Sequence, residues 1–228
     1  MSDGWVYTPP TAPWLDVLYE DDDVVVINKP GGLLSVPGRA PERQDSAFTR
    51  LLADRPTLRV VHRLDMDTSG VMLFALHRDA ERALDAQFRS RTITKTYRAR
   101  VWGHPRADQG IIDLPLARMR GAIRSQIDFS AGKVARTIYT TLRRRPDNQA
   151  ELLLIPQTGR SHQLRVHLLH LGHPIVGDRF YALPPLPQIT GQMMLHAAHL
   201  GFVQPSSGHP ITVDAPLPDP WTAQSPAL

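Results

Sequence analysis

The chain has 228 residues, 42 % of them hydrophobic, which suffices for one sizeable core in a single compact unit spanning 1–228. It contains no cysteine, which excludes disulfides, thiolate zinc sites, iron–sulfur clusters and cysteine nucleophiles together. Its formal charge is +4, and 23 of its 26 basic residues are arginine, a side chain suited to phosphates and bases but equally a product of GC-rich codon usage, so charge only leans toward nucleic acid.

The N-terminus (MSDGWVYTPP) lacks the basic-then-apolar order of a secretory signal, and no apolar run reaches the roughly 18 residues of a membrane span. A soluble, cytoplasmic protein is expected. Proline clusters at 8–13, 183–187 (LPPLP) and 216–220 (PLPDP) lack amide donors; they mark an N-terminal arm over 1–14, a surface loop and a tail over 216–228. VVVIN (24–28) has the pattern of a buried strand and runs into the turn signal Lys29-Pro30-Gly31-Gly32, so a strand delivers Lys29 to a loop. Residues 46–54 read as a helix ending before Pro56. Residues 79–90 read as a second, with Asp79 as N-cap and Ala80, Ala83, Leu84 and Phe88 on one face. TYRARVW (96–102), SQIDF (125–129), RTIYTTL (136–142), ELLLI (151–155) and MLHAAHLGFV (194–203) read as strands. A third helix is expected over Ser161–Leu171, with Gly172 at C′ and Pro174 beyond it. Strands in clusters with helices interspersed, rather than strict βαβ alternation, predict an α+β fold with a mixed, mainly antiparallel central sheet flanked by helices.

Two clusters carry chemistry. HRLDMDTSG (62–70) sets His62, Arg63, Asp65 and Asp67 between the apolar flanks Val60-Val61 and Val71-Met72-Leu73-Phe74. Charges at such a rim need a reason, because desolvating an unpaired carboxylate is costly. A salt bridge within a turn and a catalytic carboxylate both satisfy that demand, and the residues alone do not rank Asp65 above Asp67. TGRSHQLRVH (158–167) places Arg160, Ser161 and Arg165 at or near a helix start, where free amides suit phosphate, with His162 and Arg165 on one face; a solvated basic face explains it as well. Lys29 and Lys95 lie in basic loops as phosphate contacts or as salt-bridge partners. His162, His167, His170 and His173 invite a metal reading, but a helix puts only 167 and 170 on one face and no cysteine completes a site, so no metal is expected. Neither GxxxxGK[ST] nor GxGxxG occurs, which argues against a nucleotide cofactor.

HRLDMDTSG, KTYRARV (95–101), TGRSHQLRVH and GHPIVGDRFY (172–181) stand in the order typical of the RluA family of pseudouridine synthases, which the chain resembles from residue 15 to about 215. INKPGGLLSVPGR (27–39) is similar to that family's first motif. Only 23 residues precede VVVIN, too few for the S4-like RNA-binding domain many relatives carry, so no S4 domain is expected. The resemblance implies conversion of uridine to pseudouridine in structured RNA, tRNA and/or 23S rRNA, by a monomer without cofactor. It implies Asp65 as the catalytic carboxylate, attacking sugar or base or taking the C2′ proton. Arg165 would lie against it and favour its charged form, and Tyr97 would stack on the flipped uracil with its phenol near the C5 proton. Arg63 would fill the place the base leaves, and His62, Lys29, Lys95, Arg160 and His162 would contact RNA. On this reading residues 65, 97 and 165 meet around one everted base. A non-catalytic RNA-binding module and a metal-dependent hydrolase built on the histidines are the rival classes.

Overall fold

A computed structural model describes residues 6–182, 184, 186 and 191–222, so most of the 183–187 proline loop and the end of the tail lie outside the described residues. The strands are β1 (Asp16–Glu20), β2 (Val24–Lys29), β3 (Arg59–Val60), β4 (Ser69–Ala75), β5 (Thr94–Trp102), β6 (Gln109–Asp113), β7 (Leu116–Arg118), β8 (Ser125–Ile127), β9 (Arg136–Arg145), β10 (Gln149–Pro156), β11 (Leu195–Val203) and β12 (Pro210–Asp214). The helices are α1 (Ala47–Leu52), α2 (Arg78–Ser90), α3 (Gln163–His170) and the single turn α4 (Asp219–Thr222). The fold is α+β, and the pairings within each of its two compact units are antiparallel. One unit comprises Met1–Thr94 and His199–Ala215, the other Lys95–Ala198 and Pro216–Leu228.

In the first unit β2 lies between β1 and β4, and β3 adds to β4. Val24 and Val26 of β2 and Val71 and Leu73 of β4 share a core with Ala80 and Leu84 of α2. The α1 boundary follows from Ser46, whose hydroxyl accepts the Thr49 N–H while the Thr49 hydroxyl accepts the Ser46 N–H, a capping box. On α2 the cap is His77 rather than Asp79: His77 is extended and its Nδ1 accepts the Ala80 N–H at 3.3 Å. Asp79 instead lies in the first turn, where its negative charge suits the free amides. The arm before β1 is strapped down. Buried Arg50 holds Asp45 with two hydrogen bonds, donates to the carbonyls of Pro10 and Trp14, and lies 4.1 Å from the Trp14 ring centroid.

In the second unit the order is β5-β10-β9-β6. Alternation along β5 and β10 sends Ala99, Val101, Leu152 and Leu154 to a core with Leu164 and Leu168 of α3. On strand positions between these, Glu151 is in register with Arg100 on one neighbour and Arg143 on the other. The β7–β8 hairpin packs Leu116 and Ile127 against Val166 and Tyr181. The α3 helix begins two residues later than expected, because His162 adopts the left-handed conformation (φ 56°), while Gly172 at φ 88° fills the predicted C′ role. The tail is not detached: Trp221 is buried in this unit's core, and its carbonyl accepts from Arg100.

Candidate active site

The 61–68 loop of the first unit leads from β3 into β4, and the residues on both sides of Asp65 are fixed by the chain 29 to 37 positions earlier. The Ser35 hydroxyl donates to the Leu64 carbonyl at 2.7 Å and accepts the Leu64 N–H at 3.1 Å. The Met66 carbonyl accepts the Gly32 N–H at 3.0 Å and Lys29 Nζ at 2.9 Å. A turn closes as the Thr68 N–H donates to the Asp65 carbonyl, and Gly70, at φ 107°, opens β4 with a backbone that L side chains resist. Asp65 itself is half-buried and Arg63 is exposed. The polar backbone neighbours thus hold the main chain on both sides of this half-buried carboxylate residue.

Lys29 does not serve as the expected phosphate contact. It is fully buried, and its three ammonium donors go to the carbonyls of Pro30, Leu33 and Met66 at 2.8 to 2.9 Å. Burial pushes its amine down to about 7, against which the negative charges of Asp67 and Asp65 hold the proton. His62 is likewise engaged inside the protein: Nε2 accepts the Leu73 N–H at 2.9 Å and the ring lies 5.0 Å from Phe88.

In the second unit Tyr97 stands on β5 opposite Leu154, half-buried against the core. Burial lowers the Lys95 amine. Arg165, on α3, is buried and holds Asp178 with Nε to Oδ2 at 2.7 Å and a terminal nitrogen to Oδ1 at 2.8 Å. This bidentate partner was missed, although GDRFY stood among the quoted motifs; nothing in spacing alone pairs positions 165 and 178. Gln163 organises the rest of its motif. Its Oε1 accepts the Thr158 hydroxyl and the Arg160 N–H, and its Nε2 donates to the Arg136 carbonyl and the Thr137 hydroxyl. Arg160 donates its Nε to the Val134 carbonyl.

His162 is the N-cap of α3 rather than a residue inside it, yet it lies on the same side as Arg165, both packing on the rings of Phe180 and Tyr181. The histidines do not form one cluster of ligands. His167 is buried between the Thr137 hydroxyl and the Leu114 carbonyl, and burial lowers its pKa; His173 Nδ1 meets the Trp102 carbonyl. Among the described residues no group of three or more His, Asp or Glu side chains is placed to hold a metal ion.

The family model for RNA pseudouridylate synthase matches residues 23–170, a stretch that holds the Asp65 loop, Tyr97 and Arg165. The chain belongs to the RNA pseudouridylate synthase family. It is an enzyme of that family, an isomerase acting on RNA. The dual-specificity RNA pseudouridine synthase RluA of Escherichia coli K12 is 50 % identical over 211 residues, covering 92 % of this chain and 96 % of that one. Its counterpart from Pasteurella multocida is 49 % identical with the same coverage. Among solved structures, human RNA pseudouridylate synthase domain containing 1 superposes with a TM-score of 0.76 at 30 % identity, covering 96 % of this chain and 87 % of that one. Human RNA pseudouridylate synthase domain containing 4 gives 0.74 at 27 % identity, with 91 % and 90 % covered. No described helix of this synthase is long and apolar enough to cross a membrane.

Proposed function

We propose that this synthase isomerises one uridine in tRNA and one in 23S rRNA, everting each base and using Asp65 as the catalytic carboxylate. The observation that carries the assignment is the anchoring of Leu64 and Met66 on either side of a half-buried Asp65. Dual specificity is supported by the near full-length likeness to relatives that bear that description. In the reaction the N1 to C1′ bond breaks, C5 joins C1′, the C5 proton leaves and N1 is reprotonated, so no outside oxidant or reductant enters. Asp65 acts as nucleophile or as base at C2′. Tyr97 stacks on the uracil and its phenol assists departure of the C5 proton, Arg165 steadies the charged carboxylate, and Arg63 replaces the everted base. Eversion costs a few kcal/mol, offset in part by stacking worth about 1 to 3 kcal/mol. Lys95, Arg160 and His162 serve as RNA contacts.

Asp65→Asn is expected to fold, to bind RNA and to release no tritium from RNA carrying 5-tritiated uridine; turnover by that variant removes Asp65 from its role. Pseudouridine mapping in cells lacking the gene is expected to lose one site in tRNA and one in 23S rRNA, and loss from only one RNA class would reject the dual reading.

A further inference from the structure

The hydroxyl of Tyr181 joins three pieces of the second unit. It accepts the Ser125 N–H at 2.9 Å, donates to the Ser125 carbonyl at 3.1 Å and meets His162 Nδ1 at 2.8 Å. A phenol has one proton; with that proton on Ser125 O, the hydroxyl accepts from His162, and the imidazole carries its proton on Nδ1 in this arrangement. Tyr181 is buried, so an unfilled position here would leave a polar group without water.

The same residue ends the turn that aims Arg165. Oδ1 of Asp178 accepts the backbone N–H groups of Phe180 at 2.9 Å and Tyr181 at 3.2 Å, while both carboxylate oxygens hold the Arg165 guanidinium. One carboxylate therefore fixes the turn and the guanidinium together. The rings of Tyr181 and Phe180 lie 5.1 and 5.2 Å from the guanidinium carbon, and His162 stacks on Phe180 at 5.9 Å between centroids. These contacts and the Tyr181 bond hold His162 in a left-handed backbone region that non-glycine residues resist.

Ser125 belongs to β8, where it pairs with Arg118 of β7, and the hairpin tip exposes Arg118, Met119, Arg120 and Ile123. Hairpin, α3 and turn together frame a cavity of about 620 Å³ lined by Arg124, Ile127, Val166, Phe180 and Tyr181. We propose that Tyr181 is a positioning residue for Arg165: its hydroxyl fastens the β7–β8 hairpin and the His162 cap to the Asp178 turn, so that the placement of the hairpin sets the direction of the guanidinium. RNA that engages the hairpin tip is thereby felt at Arg165. This rests on the assignment of Arg165 to the active site.

Tyr181→Phe keeps the ring against Arg165 and removes only the hydroxyl. Its turnover number is expected to fall about tenfold, since sub-ångström misplacement of a working group costs this much or more. In an Arg165→Lys background, where bidentate direction is already lost, the same change is expected to alter turnover less than about twofold. His162→Ala, which removes the bond from the other side, is expected to show the same background dependence and serves if Tyr181→Phe does not fold. An equal penalty in both backgrounds, or unchanged turnover in Tyr181→Phe, overturns the proposal while leaving the Arg165 assignment intact. Wild-type turnover by Arg165→Lys alone overturns that assignment and the proposal with it.

Discussion

Lys29 is a charged side chain used as a main-chain tie, and its burial makes the protein's stability depend on pH in an unusual direction. An exposed lysine keeps its proton up to about 10.5, whereas burial brings the folded value down to about 7. Between those values the unfolded chain holds a proton that the folded chain has released, so unfolding free energy rises with pH across the window. Urea denaturation at pH 7.5 and 9.5 is expected to give the higher stability at 9.5, by roughly 2 kcal/mol from this group. Lys29→Met, apolar and of similar length, is expected to flatten that rise; an undiminished slope in the variant would assign the dependence to other groups. The sequence placed Lys29 correctly at the end of a buried strand, yet which way its amine points depends on the carbonyls of Leu33 and Met66, the latter 37 positions away. Asp65 is proposed on the opposite kind of signal. Its motif is contiguous, so the family resemblance singles it out without knowledge of the fold, whereas Asp178 acts through a partner 13 residues distant and on another element.

At the level of elements, β5, β9 and β10 meet in an ion cluster centred on Glu151, where the register of β10 against β9 also shifts. Glu151 of β10 lies 2.6 Å from Arg143, 3.1 Å from Arg145, 3.3 Å from Arg98 and 3.8 Å from Arg100. Burial pushes its carboxyl up, but hydrogen bonds and charge from Arg143, then Arg145 and Arg100, prevail and hold it below its ordinary value. Glu151→Gln leaves several guanidiniums around a neutral amide and is expected to cost roughly 3 kcal/mol, read as a lower urea midpoint at pH 7, with the difference shrinking as acid protonates the native carboxylate below its ordinary range. A midpoint equal to wild type would mean that water already screens the cluster. The strands themselves were readable because β-branched and aromatic residues alternate over β5, β9 and β10. The short β6 and β7 were not, since they lack the β-branched and aromatic run that marks a strand, and neither was β12; their pairing partners decide them. The later start of α3 also escaped the pattern, because a left-handed His162 has no signature in composition.

For the molecule as a whole, a charge of +4 understates what RNA meets and the arginine count overstates it. Arg50 is buried against Asp45, Arg165 against Asp178 and Arg100 beside Glu151, where Arg145 is half-buried, all holding the protein together. Arg63, Arg118 and Arg120 are exposed, although Arg118 donates its Nε to the Ala122 carbonyl. Composition lists both sets alike; only burial separates them. Exposed guanidiniums that neutralise phosphates release counterions, so the logarithm of the association constant should fall linearly with the logarithm of salt, by about 0.7 per phosphate on single-stranded RNA. Arg120→Ala, which removes an exposed charge at the hairpin tip, is expected to make that slope shallower by about 0.7 in a filter-binding titration against a stem-loop substrate. Arg50→Met removes a charge from inside the first unit and, where the variant still folds, is expected to leave the slope unchanged. Equal slopes for Arg120→Ala and wild type would exclude the hairpin tip from the RNA interface, and a flat salt response in the wild type would contradict electrostatic recognition of RNA altogether.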